Sequence, residues 1–183
     1  MRVITGIARG KRLSAHSGLE TRPTTDMVKE AIFSIIQFDI PGAWVLDLFA
    51  GTGQMGIEAL SRGASGAVFV DNHKAAIAVI KQNLALTELT ESAKVYPMDA
   101  KSYLTSAAER YDIALLDPPY NKGMLADILP AVARRMNKNS IIMCETQLEE
   151  TLPEAAESFT LRKTYRYGRV KVWVYKNEES DEE

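Results

Sequence analysis

The segment at residues 115–120, Leu-Leu-Asp-Pro-Pro-Tyr, combines a carboxylate, a rigid backbone and an aromatic ring. This set can hold a planar amino group such as that of guanine or adenine. The Asp117 carboxylate accepts one N–H hydrogen bond, and the carbonyl of Pro118, whose φ is fixed by its ring, accepts the other. Both acceptors offset the positive charge that grows on the nitrogen when it is alkylated, and Tyr120 offers a face for stacking a flipped or single-stranded base. The alternative interpretation is a rigid turn that only ends a strand.

A second stretch, residues 47–56 (DLFAGTGQMG), places three glycines at G-x-G-x-x-G spacing directly after an apolar run. Glycines at Gly51 and Gly53 let the backbone turn tightly and approach a ligand. Asp71 follows Gly53 by 18 residues, where an acid can accept hydrogen bonds from ribose hydroxyls. A nucleotide-like ligand is therefore predicted, with a tight turn as the alternative.

Asp47 indicates which nucleotide-like ligand the loop binds. A carboxylate beside the loop would repel the pyrophosphate of a dinucleotide, whereas it would attract the α-ammonium and sulfonium of S-adenosylmethionine. Asp47 could instead cap the N–H groups of the loop. Asp99 could bind the adenine amino group or cap a helix that begins at Ala100. The predicted cofactor set is Asp47, Phe49, Gly51, Gly53, Asp71, Asp99 and Ala100.

These segments must be positioned by alternating strands and helices. Apolar runs predict strands at residues 43–48, 66–70, 94–98, 112–116 and 140–144, with helices near 54–62, 73–86, 101–108 and 123–136. Such alternation predicts a mostly parallel sheet flanked by helices, and residues 159–166 and 170–175 predict an antiparallel hairpin that closes one edge. Before these elements come a predicted hairpin over 2–13 and a helix over 26–38, capped by residues 24–26.

The predicted organisation is an N-terminal hairpin and helix extension over residues 1–40, a ligand-binding α/β domain over 41–176 and an acidic, disordered tail over 177–183. Hydrophobic residues make up 46% of the chain and charged residues 25%, which favours a single folded core. No run of about 18 apolar residues or signal peptide is present, so neither a membrane span nor export is predicted. Cys144 is the only cysteine and there are two histidines, which favours the cytoplasm and argues against a metal site.

Net charge is −2, yet two segments are basic and free of acids. One contains Arg2, Arg9, Lys11 and Arg12, and the other is residues 160–176, which hold six Lys and Arg residues. A polyanion responds to such local charge rather than to the average. These segments are therefore predicted to contact nucleic acid, with solvated strand faces as the alternative.

The chain resembles the class I S-adenosylmethionine-dependent methyltransferases that act on amino groups, whose [DNS]-P-P-[YFW] motif matches residues 117–120. It resembles more closely the RsmD family of bacterial 16S rRNA (guanine-N2)-methyltransferases. The resemblance is carried by residues 2–13 (RVITGIARGKRL), 22–33 (RPTTDMVKEAIF), 46–64 (LDLFAGTGQMGIEALSRGA), 69–83, LLDPPY and the hairpin at Tyr167-Gly168. It implies a Rossmann-like fold and methyl transfer from S-adenosylmethionine to guanine N2.

By this resemblance, Asp117, Pro118 and Tyr120 hold the target base. Arg22, Thr24 and Thr25 lie near the site, and Arg2, Arg9, Lys11 and Arg12 meet 16S rRNA, either naked or within a partly assembled small subunit. Asp71 departs from the family, in which Glu is more frequent, so its shorter side chain has less reach to the ribose. A monomer without metal is expected.

Three alternatives stay open at this point. The same chemistry could act on adenine N6 in nucleic acid or on a protein glutamine, although glutamine enzymes more often carry Asn at the position of Asp117. The fold could also serve an NAD(P)-dependent oxidoreductase, against which Asp47 counts. A non-catalytic RNA-binding module would not require Asp117.

Overall fold

The computed structural model describes residues 1–15, 25–119 and 123–177. In these ranges the helices are Asp26–Ile35 (α1), Gln54–Ser61 (α2), Lys74–Thr87 (α3), Ala100–Ser106 (α4) and Met124–Ala133 (α5), with a 3-10 turn at Thr90–Ser92. The strands are Trp44–Leu48 (β1), Gly66–Asp71 (β2), Ala93–Pro97 (β3), Tyr111–Leu116 (β4), Met136–Gln147 (β5), Ala155–Ala156 (β6), Phe159–Tyr167 (β7) and Val170–Lys176 (β8).

All eight strands form one sheet in the order β3-β2-β1-β4-β5-β8-β7-β6. Strands β1 to β5 are parallel, whereas β8 is antiparallel to β5 and β7 is antiparallel to β8. The mostly parallel sheet with a closing C-terminal hairpin is thus confirmed. Because β1 and β4 are neighbours at the point where the chain order reverses, the loops after them meet at one edge of the sheet, hereafter the catalytic edge.

Both faces of the sheet are covered, which explains why the central strands are apolar throughout. Helices α1, α2 and α3 and the N-terminal segment pack on one face, where Val45, Phe69 and Ile113 belong to the core. Helices α4 and α5 pack on the other face over residues such as Leu46 and Ala114.

The predicted N-terminal hairpin is present in a short form. Arg2 and Arg12 form an antiparallel bridge, and the Val3 and Leu13 N–H groups donate to the carbonyls of Lys11 and Met1 at 3.0 and 3.1 Å. N–H groups in the turn of this hairpin bind α2. Ile4 and Thr5 donate to the Glu58 carboxylate at 2.8 and 3.0 Å, and Ala8 donates to the Ser61 hydroxyl at 3.0 Å. The turn of the hairpin is therefore docked on α2, and the segment contributes to the same core as the sheet.

A Cβ on Gly6 would lie 1.8 Å from the Ser61 carbonyl oxygen, and its φ is +91°. Only glycine permits this approach of the loop to α2.

Several element boundaries differ from the sequence prediction. Helix α1 ends at Ile35 and α5 at Ala133, and each ends three residues earlier than predicted. Strand β5 is much longer than residues 140–144, because its start pairs with β4 at Tyr111 and its end pairs with β8 up to Gln147. The two-residue β6 was not predicted, since two alanines carry no strand pattern.

Asn177 was assigned to the disordered tail, but its side chain accepts from the Ser140 N–H at 2.8 Å and donates to the Asn137 carbonyl at 2.9 Å. It therefore belongs to the folded sheet. Residues 178–183 lie outside the described ranges. Among the helices of the described ranges, none has both the length and the apolarity needed to cross a bilayer.

Candidate active site

The loop after β1 is held in an uncommon backbone conformation at the catalytic edge. Phe49, Gly51 and Gly53 have φ of 67°, 57° and 77°, which lie in the left-handed region. The loop is tied to the end of β2, because Gly51 N–H donates to the Asp71 carboxylate at 2.9 Å and Ala50 N–H donates to a β2 carbonyl at 3.0 Å. A left-handed non-glycine residue such as Phe49 costs conformational energy and is enriched at functional sites.

Asp47 is buried beneath this loop, and one of its carboxylate oxygens accepts from Gly56 N–H at 2.8 Å. Burial, with a smaller contribution from the negative charges of Asp117 and Asp71, raises the pKa of Asp47 to about 8, although the Gly56 hydrogen bond acts in the opposite direction. Asp47 therefore caps an N–H group of the segment after β1, as one of the two sequence interpretations proposed. A buried carboxyl group surrounded by other acids is also suited to receive a cation.

Gly56, the third glycine of the motif, has a packing role. A Cβ there would lie 2.4 Å from the Phe69 ring on β2 and 3.2 Å from the Asp47 carboxylate. The absence of a side chain lets α2 lie close against the sheet.

Asp71 already accepts hydrogen bonds at both carboxylate oxygens, from Gly51 N–H at one and from His73 N–H at 2.9 Å at the other. Each carboxylate oxygen has two acceptor positions, so these bonds leave acceptor capacity for ribose hydroxyls. The contacts fix the orientation of the carboxylate at the end of β2.

Asp99 caps α4, since its side chain accepts from Ser102 N–H at 3.0 Å. Hydrogen bonds from Ser102 lower the pKa of this exposed carboxyl group, so it is ionised at neutral pH. Ala100 is buried at the first position of α4. The capping role of Asp99 is thus observed, and its contact with adenine stays a prediction.

Asp117 comes directly after β4 and is half-buried, as is Pro118. A narrow cleft, with room for about one water molecule, joins Asp117 to the buried Asp47, and it is also lined by Ile32, Met55, Leu115, Leu116, Met143, Cys144, Glu145 and Val172. Asp47 and Asp117, which are predicted to bind the cofactor and the base, therefore lie on the walls of the same cleft. Tyr120 lies outside the described residues.

Glu145 is an acid on this cleft that the sequence analysis did not identify. The signal was present, because Glu145 follows the buried end of a predicted strand and strand ends at the carboxyl edge are where ligands bind.

The predicted RNA contacts of the N-terminal segment lie on its outer surface. Arg2, Arg9 and Arg12 are exposed, whereas Lys11 pairs with Glu88 at 3.1 Å. Arg2 also lies 3.6 Å from Asp26. Thr25 caps α1 by accepting from Val28 N–H at 3.3 Å. Arg22 and Thr24 lie outside the described residues.

Asn83 links this segment to the glycine loop. Its fully buried side chain accepts from Ser14 N–H at 2.7 Å and donates to the carbonyls of Ser14 and Thr52 at 3.0 and 2.9 Å. The basic segment is therefore attached next to the candidate cofactor loop. A buried Asn on an otherwise apolar helix face is a sequence signal for such a role.

The strand order, the glycine loop after β1, the acid after β2 and the closing antiparallel hairpin define a class I S-adenosylmethionine-dependent methyltransferase. Residues 1–176 match the family described as Conserved hypothetical protein 95. The chain belongs to this family, which is the RsmD family. In the described ranges, no group of three or more His, Cys, Asp or Glu residues could hold a metal ion.

Relatives match over nearly the whole length. The chain is 41% identical over 181 residues to "Putative rRNA methyltransferase YlbH" of Bacillus subtilis, covering 96% of this chain and 98% of that protein. It is 32% identical to "Ribosomal RNA small subunit methyltransferase D" of Escherichia coli K12, covering 100% and 92%. The solved structure "Putative methyltransferase yhhF" from Escherichia coli has a TM-score of 0.87 at 32% identity, covering 98% of this chain and 99% of that one.

Proposed function

We propose that the protein transfers a methyl group from S-adenosylmethionine to N2 of a guanine in 16S rRNA. The observation that carries the proposal is the proximity of two acids, because Asp47, beneath the glycine loop, and Asp117, at the end of β4, line the same narrow cleft. The Escherichia coli relative is named a ribosomal RNA small subunit methyltransferase, which supports the choice of 16S rRNA as substrate. The guanine assignment rests on the family resemblance.

The residues at the catalytic edge fit the cofactor. S-adenosylmethionine supplies an electrophilic methyl group when it is bound. Asp47 is a buried carboxyl group that a cofactor ammonium would stabilise in its ionised form. The side-chain oxygen of Gln54, directly after Gly53, is buried without a hydrogen-bond partner in the described structure and could accept from a ligand.

The full proposed cofactor set is Asp47, Phe49, Gly51, Gly53, Asp71, Asp99 and Ala100. Asp71 would accept from the ribose and Asp99 from adenine.

On the substrate side, Asp117 and the carbonyl of Pro118 would each accept one N–H of the guanine amino group, with Tyr120 stacked on the base. The nitrogen forms its bond to the methyl carbon as the carbon–sulfur bond breaks, and it then releases one proton to solvent. The negative charge of Asp117 stabilises the positive charge on nitrogen during this step. No strong base is needed, because the proton leaves after transfer.

The remaining open choices concern the substrate. Adenine N6 and a protein glutamine are the competing amino groups. An oxidoreductase is disfavoured because relatives that match nearly the whole chain are named methyltransferases. We infer that the exposed arginines of the N-terminal segment contact the rRNA. We also infer a cytoplasmic monomer that acts on naked rRNA or on a partly assembled small subunit.

The decisive experiment uses S-adenosylmethionine labelled on its methyl group. The protein is incubated with 16S rRNA, naked and in small subunits from cells that lack the enzyme, and with tRNA, DNA and bulk protein in parallel. Label in N2-methylguanosine from 16S rRNA is the expected result. Label in N6-methyladenine or in protein would refute the guanine assignment.

Asp117→Ala tests the site in the same assay. We expect turnover to fall by roughly 100- to 1000-fold, the size of losing one oriented electrostatic contact, with the affinity for S-adenosylhomocysteine nearly unchanged. Asp39→Ala removes an exposed acid beyond α1 and is the matched control. Near-normal turnover in Asp117→Ala would show that the reacting amino group is held elsewhere.

A further inference from the structure

Three side chains on one face of β7 form a cationic and aromatic row that the proposed site does not use. Lys163, Tyr165 and Tyr167 alternate along the strand, so they point to the same face. The Lys163 ammonium lies 4.9 Å from the centre of the Tyr165 ring. The Tyr165 and Tyr167 rings are nearly parallel, with centres 6.3 Å apart and planes inclined by 7°. We call these three residues the β7 row.

The β7 row leads toward the candidate active site. Tyr165 pairs with Val172 on β8, and Val172 pairs with Glu145 on β5. Val172 and Glu145 line the same cleft as Asp117. Neighbouring strands lie about 4.8 Å apart, so Tyr165 is roughly 10 Å across the sheet from Glu145. Beyond Tyr167 the chain turns at Gly168 beside the end of β5, which is the catalytic edge.

Charge identifies the kind of partner. Residues 160–176 contain six basic residues and no acid. Lys163 in the row and Arg169 in the turn after it are exposed, whereas Tyr165 and Tyr167 are half-buried against the core, which keeps their rings in place. Arg166 alternates with the two tyrosines and therefore lies on the opposite face of β7. Basic side chains interleaved with fixed aromatic rings are the pattern that binds single-stranded nucleic acid, because phosphates meet the cations and bases stack on the rings. A duplex would hide its base faces from such a row.

We propose that the β7 row binds single-stranded RNA that flanks the target nucleotide. This inference rests on the proposed function, because it assumes that the target base enters the cleft at Asp117. Lys163 contacts a phosphate, and the tyrosine rings stack on unpaired bases next to the flipped guanine. The row would thus select targets in loops or unfolded segments of RNA.

The test measures binding of a fluorescent single-stranded fragment of 16S rRNA in the presence of S-adenosylhomocysteine. Tyr167→Ala should weaken RNA binding by about 5- to 150-fold, the range for one base–aromatic stack, and Tyr167→Phe should retain most of the affinity. Lys163→Ala should weaken binding and lower the slope of log affinity against log salt by about 0.7, the value for one phosphate of a single strand. Affinity for S-adenosylhomocysteine should be unchanged in all three variants.

Two exposed residues provide matched controls. Lys81 lies on α3, which packs at the opposite end of the sheet, and Phe38 is 89% exposed in the turn before β1. Lys81→Ala and Phe38→Ala should bind RNA within about twofold of the wild type. Lys163 is exposed, so its variant keeps the test valid if Tyr167→Ala fails to fold.

The outcomes separate this inference from the proposed function. RNA affinity within twofold of the wild type in Lys163→Ala and in folded Tyr167→Ala would overturn the proposal that the β7 row binds RNA. Methylation of rRNA would continue in that case, so the proposed function would stand. Weakened binding only to assembled subunits, with naked RNA unaffected, would assign the row to a ribosomal protein and also overturn it. A wild-type protein that binds S-adenosylhomocysteine but neither binds nor methylates RNA would refute both proposals.

Discussion

Asp47 should release a proton when the cofactor binds. Burial raises the pKa of Asp47 to about 8, so roughly nine-tenths of the free protein carries a neutral Asp47 at pH 7. A cofactor ammonium beside the carboxylate would favour its ionised form. We therefore expect release of about 0.9 protons per S-adenosylhomocysteine bound at pH 7.

The expected contribution to affinity follows from two opposing terms. Ionising Asp47 at pH 7 costs about 1.4 kcal/mol, which corresponds to one pKa unit. An ammonium–carboxylate pair at about 4 Å contributes about 4 kcal/mol at an effective dielectric constant near 20. The pair therefore gains roughly 2 to 3 kcal/mol, so Asp47→Asn should weaken binding by about 30- to 150-fold. Asn retains an oxygen that can accept from Gly56 N–H, which limits structural damage.

Isothermal titration calorimetry of S-adenosylhomocysteine at pH 7 measures both quantities. In buffers of different ionisation enthalpy, the slope of the observed enthalpy gives the number of protons released. It should be about 0.9 for the wild type and close to zero for Asp47→Asn. Asp39→Asn is the exposed control and should behave as the wild type. A wild-type slope near zero, or equal affinity in Asp47→Asn, would refute the pairing of Asp47 with the ammonium.

Three further outcomes follow from the buried polar groups. The pKa of Asp47 is higher in the folded than in the unfolded chain, so its contribution to stability is lost as pH rises from about 4 to 8. The melting temperature of Asp47→Asn should therefore rise relative to that of the wild type between pH 5 and pH 8.5. Glu58→Gln removes the carboxylate 3.8 Å from the buried Lys29 ammonium and should lower the free energy of unfolding in urea by about 3 kcal/mol, because a buried charge loses its partner. Lys29→Met removes the charge itself and should cost less, so an equal cost would contradict this reasoning. Asn83→Ala removes three hydrogen bonds and should lower the free energy of unfolding by about 2 to 4 kcal/mol in the same assay. It should also weaken cofactor binding, because Thr52 belongs to the glycine loop. Unchanged stability would show that Asn83 does not link the N-terminal segment to that loop.

The sequence identified the elements whose signal is local. The G-x-G-x-x-G spacing predicted the loop, and the loop has left-handed residues at Gly51 and Gly53. The apolar run before Asp117 predicted β4, because a strand covered on both faces must be apolar at every position. The turn at Gly168 predicted the closing hairpin, since a left-handed residue there reverses the chain.

The sequence did not reveal where the N–H groups of residues 4–8 would bind. The glycine-rich basic pattern predicts the hairpin, but it does not show that Glu58 and Ser61, more than fifty residues away, accept hydrogen bonds from the turn. Strand β5 was predicted too short for the same reason, because its ends are stabilised by partners on β4 and β8 that alternation along the chain does not show.

By itself the sequence determined the class of fold, the loop, and the acids that carry the proposed chemistry, because periodicity and motif spacing are encoded over short stretches of chain. Only the tertiary structure decided that Asp47 and Asp117 line one cleft, that burial raises the pKa of Asp47 to about 8, and that the β7 row is in register with residues lining that cleft. These properties depend on which strands become neighbours and on how much water reaches a side chain. Both are set by packing between residues that are distant in sequence.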